Sequence, residues 1–163
     1  MRLFFGAVLA AAILAGGACS AQPSSQNATS FMAQNALAEG VKTLPSGVQY
    51  KIVTSGPADG QRPTPDDVIR VSYQGSLLNG KVFDATKEGK PATFKLGGLI
   101  PGWVDALQQM RPGDTWIIYV PPSLGYGSEA TGPIPANSVL VFRLTLEAVG
   151  GLTGSNTIEN PDG

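Results

Sequence analysis

The chain has 163 residues, 42% hydrophobic and 14% charged, with a formal net charge of −1; that is enough apolar material for one packed domain and too little basic charge for a nucleic-acid partner. It has no histidine and a single cysteine, which removes the usual general base, Ser-His-Asp and Cys-His nucleophile systems, an intrachain disulfide and a cysteine-based zinc cluster. Its 21 glycines and 13 prolines call for many turns.

At the N-terminus, Met1 and Arg2 give a positive start, Leu3 to Leu14 is an apolar run, and Ala15, Gly16, Gly17 and Ala18 are small. This is the pattern of a secretory signal peptide, assigned to residues 1–21. The run falls short of the roughly 20 apolar residues that a spanning helix needs. Cys19 follows directly, as in a bacterial lipoprotein signal whose cysteine is lipidated and becomes the mature N-terminus. Gly16 departs from the aliphatic preference of that signal, and ordinary cleavage after Ala18 or Ala21 is the alternative. The expected location is exported: periplasmic, or anchored to the outer membrane through lipid on Cys19, with no other membrane contact.

Residues 22–43 read as a flexible tether. Ser20 to Thr29 is rich in Ser, Gln and Asn, and a short helix is expected over 30–39, with Phe31 and Leu37 among its apolar positions and Gly40 as its stop. A domain over 44–150 follows. Val48, Tyr50 and Ile52 alternate with Gln49, Lys51 and Val53, and Ile69, Val71 and Tyr73 with Arg70, Ser72 and Gln74, the period of strands. Asn79-Gly80 is a hairpin turn leading to Val82 and Phe83. Thr93 to Leu96 is a further short strand. Trp103, Leu107 and Met110 fall at i, i+4 and i+7, one helical stripe, which Arg111-Pro112-Gly113-Asp114 ends. Trp116, Ile118 and Val120 alternate, as do Leu140, Phe142, Leu144 and Leu146. The fold class is α+β, a twisted antiparallel β-sheet wrapped around one short α-helix. Residues 151–163, ending in Gly, Ser, Asn and Pro, read as a disordered tail.

Four segments in register resemble the FKBP family of peptidyl-prolyl cis-trans isomerases, over about two-thirds of the chain. They are Val71-Ser-Tyr73-Gln-Gly75-Ser-Leu77-Leu-Asn-Gly80-Lys-Val-Phe83-Asp84, Phe94-Lys-Leu96-Gly97-Gly-Leu-Ile100-Pro-Gly102-Trp103, Tyr119-Val-Pro-Pro122-Ser-Leu-Gly-Tyr126-Gly127 and Ile134-Pro135-Ala-Asn-Ser-Val-Leu140-Val-Phe142. The lead-in from Glu39 to Tyr50 is similar to that of the exported bacterial subgroup related to the macrophage infectivity potentiator. Those proteins often carry a long helical dimerisation domain before it. Only about 20 residues separate Cys19 from the lead-in here, so the expectation is a monomer.

The resemblance implies a site. Trp103 would form a pocket floor, Tyr73, Phe83 and Phe142 aromatic walls, and Leu99, Ile100 and Ile134 further substrate contacts. The Ile100 N–H and Tyr126 hydroxyl would donate to the substrate, and Asp84 would be the polar group inside, with a hydrogen bond from Tyr126. Asp84, Tyr126, Phe142 and Trp103 are the implied catalytic set. The implied partners are proline-containing polypeptides and the macrolides tacrolimus and rapamycin; no cofactor or metal is implied. Rotating an X-Pro amide breaks no bond to carbon, so the absence of histidine is no obstacle.

Taken singly, each residue has an ordinary reading: Trp103 and Phe142 as core, Tyr73 as a strand aromatic, Asp84 as a turn residue. Only their joint register favours the site. A chaperone or binding module on the same fold, with little isomerase activity, is the alternative function. Ala92, Gly125 and Ala136 are smaller than the family's usual residues, which predicts a more open loop over 123–138.

Overall fold

The computed structural model describes residues 25–150. The signal segment with Cys19, the first residues of the tether and the tail over 151–163 lie outside the described residues.

The two longest alternations build the centre. In β6 (Thr115–Val120) Trp116, Ile118 and Val120 are buried, and in β7 (Leu140–Gly150) Leu140, Phe142, Leu144 and Leu146 are. A strand's side chains alternate between faces, so pairing β6 with β7 antiparallel puts both apolar rows on one side. β3 (Val68–Leu77) pairs with the other edge of β7 and adds Ile69, Val71 and Leu77 to that face. β3 is long enough to take two short partners on its far edge: β5 (Ala92–Lys95) beside its first half and β4 (Val82–Ala85) beside its second. With β1 (Val41–Thr43) and β2 (Gln49–Thr54) the sheet has seven antiparallel strands in the order β1-β2-β6-β7-β3-β4, with β5 on β3. The Asn79-Gly80 turn joins β3 to β4 as expected, with Gly80 at φ 84° and Asn79 Oδ1 accepting from the Lys81 N–H.

The buried face is closed by α2 (Pro101–Leu107), which starts with proline in its first turn, where no intrahelical N–H is needed. Trp103, Ala106, Leu107 and the following Met110 are buried against the sheet. The 111–114 segment turns the chain as expected. Buried Asp114 accepts from the N–H groups of Arg111 (2.8 Å) and Gly56 (2.6 Å), tying this turn to the β2–β3 loop.

The tether differs from expectation. A second helix, α1, spans Ser25–Asn35, earlier than the expected 30–39, and it is docked. Ala28 is buried, the Phe31 ring lies 5.9 Å from that of Tyr119, and Gln49 is buried beneath the helix. The Gln49 amide donates to the Met32 carbonyl (2.7 Å) and accepts from Asn35 Nδ2 (2.8 Å). Gln49 and Tyr119 point away from the main core, so α1 covers the outer face of the sheet. β1 also lies before residue 44, so the folded unit extends N-terminally of the expected boundary. Among the described residues no helix is long and apolar enough to cross a membrane.

Candidate functional site

Strand register assembles the site. Gly75 pairs with Phe142 on one side and with Asp84 on the other, which brings β7 and β4 side chains to the same stretch of β3. Above the sheet, Gly102 in the first turn of α2 allows close approach: a Cβ there would lie 2.5 Å from Val120 Cγ1. The next residue, Trp103, is thereby lowered onto the sheet. Its ring makes edge contacts with Tyr73 (5.0 Å, 81°), Phe142 (5.1 Å, 87°) and Phe94 (6.3 Å, 79°). Phe83 stands edge-on to Phe142 at 5.6 Å and 90°. Edge-to-face packing sets the positive rim of one ring on the negative face of another, so the arrangement is favourable as well as apolar.

These rings line a cavity of about 400 Å³, completed by Asp84, Gly98, Leu99, Ile100 and Tyr126. Every residue expected to form the pocket is there except Ile134. That side chain is 5% exposed, and it packs into the core while its backbone bridges to Thr131. Phe94 and Gly98 are additional lining residues. Phe94 stood within a recognised segment, but β5 is too short for its alternation to single the ring out.

The polar groups differ from expectation in one bond. Tyr73, and not Tyr126, donates to Asp84: Oη to Oδ2 is 2.6 Å. Asp84 sits on the exposed rim rather than inside. Tyr126 Oη has no hydrogen-bond partner among the described residues, and neither has the Ile100 N–H, whose carbonyl begins α2. Both are donors at the cavity with no internal acceptor. The Trp103 Nε1 is buried and likewise unpaired among the described residues, which costs about 1–3 kcal/mol in a packed interior. The lining side chains offer one carboxylate, two phenols, an indole N–H and otherwise carbon, a poor donor set for a metal.

Burial, then the hydrogen bond to Asp84 and its negative charge, push the Tyr73 phenol up to about 12. The ordinary value is about 10, so the folded state holds this proton where the unfolded chain loses it. The stability it contributes is whole below about pH 10 and lost as pH rises through about 12. Tyr73→Phe should therefore lose stability less steeply than the native chain between those limits, as read from denaturant midpoints. Equal slopes would contradict the assignment.

The loop over 123–138, expected to be open, is knit together. The Gly127 N–H donates to the Pro122 carbonyl (2.8 Å), and the Asn137 N–H to that of Gly127 (2.9 Å).

Comparison with known proteins agrees with this geometry. A family model described as FKBP-type peptidyl-prolyl cis-trans isomerase matches residues 60–147, and one described as the domain amino-terminal to it matches residues 9–52. The peptidyl-prolyl cis-trans isomerase Mip of Coxiella burnetii is 46% identical over 126 residues, 76% of this chain and 54% of that protein. The outer membrane protein MIP of Legionella longbeachae is 46% identical over 121 residues, 73% of this chain and 51% of that protein. The chain thus spans about half the length of these relatives. A peptidyl-prolyl cis-trans isomerase structure from Pseudomonas syringae superposes with a TM-score of 0.72 at 35% identity, covering 77% of this chain and 92% of that one. The structure of FkpA from Escherichia coli gives 0.73 at 35% identity, covering 78% and 60%.

Proposed function

The chain belongs to the family of FKBP-type peptidyl-prolyl cis-trans isomerases, and on that premise we propose that it rotates X-Pro peptide bonds of exported polypeptides within the aromatic cavity. The observation that carries this reading is the pairing of an apolar ring-lined cavity with two unengaged donors, the Ile100 N–H and Tyr126 Oη.

The barrier to amide rotation, about 18–20 kcal/mol, is the resonance across C–N. A planar amide is polar and well solvated by water; a twisted one has lost that polarity. Moving the proline and its amide among Trp103, Phe142, Phe83, Phe94 and Tyr73 removes water from the planar form, and the twisted form loses less by the transfer. Ile100 and Tyr126 hold substrate carbonyls and keep the chain in place while the bond turns. Asp84 holds the Tyr73 hydroxyl and so fixes one wall. About 8 kcal/mol of differential binding suffices for a 10⁶-fold acceleration. The same cavity is proposed to accept tacrolimus and rapamycin in competition with substrate.

The test is isomerisation of an X-Pro tetrapeptide with and without rapamycin, across pH. Activity inhibited by rapamycin is expected, with a kcat/KM nearly flat from about pH 6 to pH 8.5, because no proton moves in the rotation. A bell-shaped profile in that window would contradict the mechanism. Peptide binding without turnover would make the protein a binding module or chaperone.

Cys19 is proposed to carry the lipid anchor, on the signal pattern before it, with the enzyme then facing the periplasm. Intact-mass measurement of the mature protein is expected to find a lipid adduct on Cys19; a soluble form starting at Ser20 or later would overturn the anchor and leave the enzyme. A monomer is proposed because the apolar side of α1 is already used on its own sheet, through Ala28 and Phe31.

A further inference from the structure

A second cavity, of about 500 Å³, lies on the outer face of the sheet between α1 and the segment that follows β6. Ala28 and Met32 form one side, and Pro121, Pro122, Ser123, Gly127, Ser128 and Asn137 contribute to the rest. No charged side chain lines it. The segment from Pro121 to Ser128 contributes to each site through different residues, Tyr126 to the catalytic cavity and Pro121, Pro122, Ser123, Gly127 and Ser128 to the groove. Tyr126 projects its ring into the catalytic cavity, while its neighbour Gly127 faces the α1 groove. Tyr126 is 41% exposed, so this crest is open to a chain passing over it.

The groove also holds hydrogen-bonding side chains that no group among the described residues engages, two of them, Ser123 and Ser128, exposed and one, Asn137, half-buried. The side chains of Ser123, Ser128 and Asn137 have no partner among the described residues. Asn137 is half-buried and stands at φ 55°, the left-handed region, its backbone held there by the bond to Gly127. Asparagine is one of the few non-glycine residues that adopt that region readily, so the loop holds its carboxamide in place at little cost. A carboxamide offers both a donor and an acceptor, the pair that a peptide backbone unit presents in return. Uncharged walls with an adaptable methionine suit varied apolar side chains.

We propose that the α1 groove is a second subsite for the polypeptide whose proline occupies the catalytic cavity, taking an extended, uncharged stretch of that chain after it crosses Tyr126. This rests on the isomerase reading above and deepens it: long unfolded chains become the preferred substrates. The two linings are neighbours in the chain at Tyr126 and Gly127, so an X-Pro tetrapeptide serves as the short probe and a peptide of about 12 residues, up to roughly 40 Å long when extended, as the long one.

The experiment compares kcat/KM for an X-Pro tetrapeptide and for an uncharged peptide of about 12 residues with the same X-Pro bond. Two variants of the full chain are used with the native protein. Asn137→Gly removes the carboxamide at a backbone angle that glycine accepts freely, and Met32→Glu charges the groove from the α1 side, away from the Tyr126 loop. The native protein should favour the longer peptide by about tenfold, roughly 1.4 kcal/mol. Both variants should lose that preference while the tetrapeptide rate holds. No length preference in the native protein, or an undiminished one in both variants, overturns the subsite. Calorimetry with the longer peptide separates the two readings. A tenfold weaker Kd in the variants supports the groove even where the tetrapeptide is not turned over, and that absence of turnover counts against the isomerase reading alone.

Discussion

Gly75→Ala should lower kcat/KM by about 10- to 100-fold, although glycine and alanine differ by one methyl group and position 75 touches no substrate. A Cβ at this position would lie 2.7 Å from Phe142 Cε1, 2.7 Å from Phe83 Cζ and 2.8 Å from Phe83 Cε2. Carbon atoms in contact sit about 3.5–4.0 Å apart, so one or both rings must move by about 1 Å. Those rings are walls of the cavity, and a misplacement of that size is enough to cost about 100-fold. Overpacking of this kind typically destabilises by about 1–3 kcal/mol, a fall in Tm of several degrees for a domain of this size. The cause is steric crowding rather than backbone strain, since Gly75 is not among the residues of positive φ. Its signature is therefore rescue: shortening the ring with Phe83→Leu in the Gly75→Ala background should restore part of the loss, whereas Phe83→Leu alone lowers activity. A Gly75→Ala protein within twofold of the native kcat/KM would show that the rings relax without consequence.

That dependence also explains how much was legible in the sequence. β3, β6 and β7 announce themselves because their alternation runs over enough residues to fix a period, and the Asn79-Gly80 turn has a local chemistry of its own. The site follows from them, since the β3 register to β7 and β4 sets Tyr73, Phe83 and Phe142 around Gly75. What failed to show depends on contacts distant in sequence. α1 begins in Ser25-Gln26-Asn27, of which Ser25 and Asn27 prefer caps and turns to helix interiors, and the helix is held by Gln49 and Tyr119, which no local pattern reveals. For the same reason Gln49 is buried although it looked like the polar side of a strand: its partners come from 14 and 17 residues away. Ile134 stands in a loop motif, where side-chain direction has no period to report it. The Tyr73–Asp84 bond leaves no local trace, because which of two phenols reaches a carboxylate is a matter of strand geometry, and β4 beside β3 favours Tyr73.

The largest effect is expected at Phe142. Its ring is 4% exposed and bridges Phe83 and Trp103, so Phe142→Ala opens the wall between the cavity and the core. The truncation should cost about 3–5 kcal/mol of stability, and kcat/KM should fall at least about 100-fold, because water admitted to the cavity solvates the planar amide that the native site leaves dry. Stability loss alone is separated from this by Phe142→Leu, which keeps the wall apolar and most of its volume and should retain activity within about tenfold, as volume-conserving swaps are tolerated best. Asp84→Ala is the informative contrast. The carboxylate is exposed on the rim and holds the Tyr73 hydroxyl, so its removal loosens one wall without wetting the cavity, and a loss of no more than about tenfold is expected. The reverse order, with Asp84→Ala more damaging than Phe142→Ala at a temperature where both are folded, would mean that a proton or a charge, and not the exclusion of water, carries the rotation. Near-native rates in both variants would mean that the rotation does not depend on the walls of the aromatic cavity.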